Sequence, residues 1–139
     1  MINAYLENMV LTANPVMQVI LLYEKAIACL EEAREIMEKG LQDSDSIKSK
    51  YESLGRATEI LTVLKATLNM EQGGEIAKNL SEIYQALLND LVRITVEGDD
   101  PETIRKMVKV LKGEAVPAYS IVNIVYSKSG SQSFLLSKL

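Results

Sequence analysis

The sequence predicts an all-α fold: an antiparallel four-helix bundle, preceded by a short N-terminal helical segment and followed by a C-terminal tail. Apolar residues recur at spacings of three and four along four long stretches, the period of a helix that buries one face. Asn-Pro, Gly-Gly and Asp-Asp-Pro signals separate those stretches, and links this brief force consecutive helices to run antiparallel. A chain of 139 residues fits one domain with a core of its own. We divide it into a helical bundle over 1–113, with 1–13 as its leading segment, and a tail over 114–139 whose conformation stays open.

Ile2, Tyr5, Leu6, Met9 and Val10 fall on one face of a short N-terminal helix. A helix of that length is marginal alone, so its apolar face needs a surface to rest on. Thr12-Ala13-Asn14-Pro15 then reads as a helix start, with Asn14 as cap and Pro15 at the first helical position. From there Val16, Val19, Ile20, Tyr23, Ala26, Ile27, Leu30, Ala33 and Met37 form the first stripe, with Gly40 as its stop.

After a polar link at Gln42–Ser46, the second stripe is Ile47, Tyr51, Leu54, Leu61, Leu64 and Leu68, widened on one flank by Ile60 and Val63. Gly73-Gly74 breaks the helix. Ile76, Leu80, Ile83, Leu87, Leu91 and Ile94 make the third stripe, with Tyr84, Leu88 and Val92 as flank. Asp100 caps and Pro101 opens a fourth, shorter helix carrying Ile104, Met107, Val108 and Leu111, which Gly113 is expected to end. Beyond it, Ala118, Ile121, Val122 and Val125 fit a helix, while Val122, Ile124 and Tyr126 fit a strand.

Composition removes several function classes. The chain has no histidine, hence no usual general base and no usual transition-metal ligand, so we expect neither an enzyme nor a metal or other cofactor. Acids such as Glu31, Glu32 and Glu35 read as a solvated helix face paired with lysines. A net charge of −4 with dispersed lysines disfavours nucleic acid. No stretch is long and apolar enough for membrane insertion, and no signal peptide is recognised at the start. The single Cys29, set within an apolar pattern, reads as a small core residue in a reducing, cytoplasmic compartment.

Helices two and three carry more apolar surface than the roughly three positions in seven that a bundle needs. Ile60, Val63, Tyr84, Leu88 and Val92 make the surplus. It either packs against the two ends of the chain or leaves a groove, and a detachable cover would satisfy both.

The sequence resembles the flagellar export chaperone family usually called FliS. The resemblance rests on AYLENMV (Ala4 to Val10), TANPVMQVILLYEKAI (Thr12 to Ile27), LNMEQGGEIAKNLSEIYQALLNDL (Leu68 to Leu91) and DDPETI (Asp99 to Ile104), in the family's order and over about four fifths of the chain. Two departures stand out. Gln18 replaces the family's usual acid at the third position after Pro15, and GEAVPAYSIVNI replaces the customary ending that closes on tryptophan.

The resemblance implies a helical-bundle chaperone that binds the C-terminal segment of flagellin and prevents its premature polymerisation before flagellar export. Flagellar co-chaperones or export components are implied as further partners. It also implies that an N-terminal segment, with an isoleucine and a tyrosine three residues on, plugs the client's site. Ile2 and Tyr5 match that spacing, and Leu6 and Met9 share their face. For the client-binding groove we take Leu61, Leu64, Leu68, Tyr84 and Leu88. The alternative is a non-enzymatic adaptor whose spare apolar surface makes a homo-oligomer.

Overall fold

A computed structural model describes residues 15–121. They form four α-helices: α1 (Pro15–Lys39), α2 (Ser44–Ala66), α3 (Met70–Glu97) and α4 (Pro101–Ser120). Among the described residues there is no strand. The helices pack in a ring, α1 on α2, α2 on α3, α3 on α4 and α4 back on α1. With links of a few residues each, this is the antiparallel up-and-down bundle that the stripes predict.

Each boundary has a local cause. Gly40 takes φ 64°, a conformation that costs glycine little, and its amide bonds the Met37 carbonyl at 3.1 Å to close α1. Asp43 caps α2 by accepting from the Ser46 amide at 3.0 Å, so this helix begins inside the segment that reads as a polar link. The Asn69 side chain accepts from the amides of Glu71 and Gln72, which starts α3 one turn before the glycine pair. Gly74, at φ 54° and ψ −136°, then kinks that first turn away from the long run that follows. Asp100 caps α4 by accepting from the Thr103 amide at 3.1 Å, with Pro101 in the first turn, as the sequence indicates.

The fourth helix does not end at Gly113. It continues to Ser120 with Pro117 inside it, and so crosses the boundary drawn between bundle and tail. The stripe explains the continuation, because Ala118 and Ile121 prolong the line of Ile104, Met107, Val108 and Leu111 and are themselves buried. That burial outweighs the roughly 1 kcal/mol cost of a helical glycine. Pro117 takes the amide donor away from the Gly113 carbonyl, but Gly113 is exposed and water can serve instead.

The core contains Val19, Leu22, Tyr23, Ala26, Leu30 and Ala33 of α1, Leu54, Ala57, Ile60, Leu61, Val63 and Leu64 of α2, and Leu80, Tyr84, Leu87, Leu91 and Ile94 of α3. Cys29 is buried among them, and its burial pushes the thiol pKa up. Two stripe positions face solvent. Ile76 is exposed, and so is Tyr51, whose neighbour Lys50 turns inward instead. Lys50 lays its stem along the bundle and sets Nζ 2.9 Å from Asp99 Oδ1, over the Tyr51 ring.

Replacing Gly113 by Ala is expected to raise stability by about 0.5–1 kcal/mol, since a Cβ there meets nothing within 4 Å. Gly74→Ala should lower it by about 1–2 kcal/mol because φ is positive. Denaturant titration of both variants measures the pair. Asp100 supplies a pH dependence. Hydrogen bonds from Thr103, and then from Arg93, hold its carboxyl down at about 2. Its contribution is fully present above the unfolded value of about 4 and is lost as pH falls towards 2. The stability gap between the protein and its Asp100→Asn variant should therefore shrink below pH 4 and close near pH 2.

Candidate functional site: the seam between α2 and α3

Two cross-links fix how α2 lies against α3. Lys65 Nζ donates to Gln85 Oε1 at 2.8 Å near one end, and Lys50 donates to Asp99 at the other. In that antiparallel register Thr62 stands level with Leu88, and Thr58 with Val92. The outer edge of the seam thus carries Tyr51, Thr58 and Thr62 from α2, and Leu88, Val92 and Val96 from α3. Val92 is 61% and Val96 78% exposed, while Leu88 is half-buried.

The threonines add little polarity. Thr58 donates its hydroxyl to the Leu54 carbonyl at 2.9 Å, Thr62 to that of Thr58 at 2.7 Å, and Thr95 to that of Leu91 at 2.8 Å. With these donors used within their own helices, the threonines present methyl groups and acceptor oxygens to another surface. No carboxylate stands among these central edge residues; Lys65 and the Lys50–Asp99 pair mark its ends.

The other three seams are of different character. Lys25, Glu32, Glu52 and Arg56 border a hollow between α1 and α2. Arg105 donates to Glu38 at 2.8 Å between α4 and α1. Glu82 and Glu114 face the space between α3 and α4.

Of the residues assigned to a client groove, Leu61, Leu64, Leu68 and Tyr84 are buried in the core and Leu88 is partly buried against it. They lie beneath the seam, and Leu88 alone among them reaches its outer edge. Ile2, Tyr5, Leu6 and Met9 lie outside the described residues. Sequence periodicity placed Val92 on a flank and Thr58 and Thr62 nowhere. The signal for the threonines was their spacing of four, in phase with Tyr51 seven residues before Thr58.

Tyr84 is held inward by a hydrogen bond between its hydroxyl and that of Tyr23 on α1. The Tyr23 ring also meets those of Tyr84 and Tyr119 edge to face, with centroids 6.4 and 6.0 Å apart. Burial, above all, pushes the Tyr84 pKa up to about 12, and burial together with Tyr84 raises that of Tyr23 further. Both phenols stay neutral, and neither is a proton donor or acceptor for chemistry near pH 7. Among the described residues no group of His, Cys, Asp and Glu could hold a metal ion, and no helix is long and apolar enough to cross a membrane.

The sequence profile of the family described as "Flagellar protein FliS" matches residues 1–115. The chain belongs to the FliS family. Its relatives include the flagellar secretion chaperone FliS of Vibrio cholerae, 31% identical over 100 residues that cover 72% of this chain and 69% of that protein. The flagellar secretion chaperone FliS of Salmonella typhimurium is 35% identical over 94 residues, 67% of this chain and 66% of that protein. The flagellar secretion chaperone FliSB of Pseudomonas aeruginosa is 32% identical over 94 residues, covering 68% and 71%. The matched region of this FliS-family chain takes in α1, α2, α3 and most of α4, so the α2–α3 seam lies within it.

Tyr23→Phe leaves the Tyr84 hydroxyl buried without this partner and should cost about 1–3 kcal/mol in thermal or denaturant unfolding. Adding Tyr84→Phe removes the orphan. The double variant should therefore lose less than the sum of the two single losses.

Proposed function

We propose that this FliS-family export chaperone holds the C-terminal segment of flagellin along the α2–α3 seam and keeps it from polymerising before export. The observation that carries this reading is the seam itself, an apolar, carboxylate-free edge with Val92 and Val96 exposed beside threonines already hydrogen-bonded. Such a surface suits an amphipathic client helix, which docks by anchors at i, i+3, i+4 and i+7 and hides its own assembly face. Fully burying a valine contributes about 1.5–3 kcal/mol before ordering costs. Flagellar co-chaperones or export components are further partners in this reading, and the cytoplasm is where it places the encounter.

In the same reading Ile2, Tyr5, Leu6 and Met9 form a plug that competes with the client, and Leu88 forms the near wall of the site, while Leu61, Leu64, Leu68 and Tyr84 support it from the core beneath. A plug closed by about 1.4 kcal/mol lowers apparent client affinity tenfold. Calorimetric titration with a flagellin C-terminal fragment tests both parts. Val92→Asp combined with Val96→Asp should weaken binding at least tenfold while helix content and melting stay unchanged. Tyr5→Ala should strengthen it up to tenfold. Unchanged affinity in the valine variant would remove the seam from the account.

A further inference from the structure

The α3–α4 seam is the thinnest of the four. It opens into a cleft of about 360 Å³ lined by Ile76, Asn79, Leu80, Glu114, Pro117 and Ser120. A second hollow continues it past Glu82, Ile83 and Ala86, again beside Glu114. Two features call for a cover here. Ile76 is a large apolar residue left 42% exposed at the cleft's end, and the acids Glu82 and Glu114 line the hollows with no basic residue in either lining.

The chain itself supplies a segment that fits. Helix α4 ends at Ser120, in the wall of the cleft, and Ile121 is buried, so the described chain ends at the Ile76 end of the cleft. Residues 122–139 follow from there. They begin with Val122, Ile124, Val125 and Tyr126, and their charged side chains are Lys128 and Lys138, with no acid. We propose that residues 122–128 turn back and lie along the α3–α4 cleft, with the apolar residues on Ile76, Leu80 and Ile83 and with Lys128 between Glu82 and Glu114.

The lengths agree. From Ile76 to Ala86 the cleft runs about 15 Å along α3 at 1.5 Å per residue. Seven extended residues reach about 23 Å, which leaves slack for the reversal after Ile121. Tethering favours this occupant over a second copy, because a short linker holds the segment at an effective concentration near millimolar.

The test uses the free protein and no client, so it stands or falls apart from the flagellin reading. Hydrogen exchange of residues 76–86 is compared between the full chain and one ending at Ile121, and should be at least tenfold faster in the shortened chain. Lys128→Glu in the full chain should also speed it, and adding Glu82→Lys with Glu114→Lys should restore protection. In a Cys29→Ala background, Ala86→Cys with Ser127→Cys should oxidise to a disulfide within the monomer at micromolar concentration. Equal exchange in the long and short chains, or a disulfide formed only between chains, would overturn the proposal.

Discussion

The hydrogen bond between the Tyr23 and Tyr84 hydroxyls ties together two helices that are not neighbours in the ring of α1, α2, α3 and α4. Two long side chains reach across the interior from opposite corners and meet at their only polar atoms. Neither hydroxyl could be buried alone without a penalty of a few kcal/mol, so each commits the other. The pair fixes the spacing of α1 and α3 and uses Tyr84 for the interior. With that tyrosine and the leucines of α2 turned inward, the outer edge of the α2–α3 seam keeps exposed apolar surface in Val92 and Val96.

Charge distribution then separates the four seams. Around α1 the edges carry ion pairs and alternating acids and bases, such as Arg34 with Glu38 at 2.8 Å. These exposed pairs add little stability, but they keep those faces wet. The α3–α4 cleft is acidic. Between α2 and α3, valines and back-bonded threonines leave a dry strip bounded by lysines. The net charge of −4 is therefore unevenly spread.

Much of the fold was legible in the sequence because its signals are local and periodic. Asp100 and Pro101 announced α4, Gly40 closed α1, and the stripe from Val19 to Met37 is largely core. Gly113 and Pro117 misled because local propensity opposes a helix there, whereas burial of Ala118 and Ile121, a tertiary effect, decides. Tyr51 misled in the opposite sense. Periodicity favoured burying it, but the distant Asp99 gives Lys50 a partner and draws that residue inward. The candidate site was only half legible. Leu88 and Val92 stood out as surplus, yet no pattern in one helix reveals which of Leu61, Leu64 and Tyr84 lie beneath the seam and which residues border it. Gln18, the departure from the family's acid, is buried. A neutral amide costs far less to bury than a carboxylate, which gives that change a physical sense.

The back-bonded hydroxyls of Thr58 and Thr62 have one more effect. In the proposed reading, a guest lying over them meets protons already committed, so the threonines ask no acceptor of it and impose shape more than a polar code. Selection by such a surface is tolerant: a guest's sequence can drift freely so long as its oily ridge keeps its pitch.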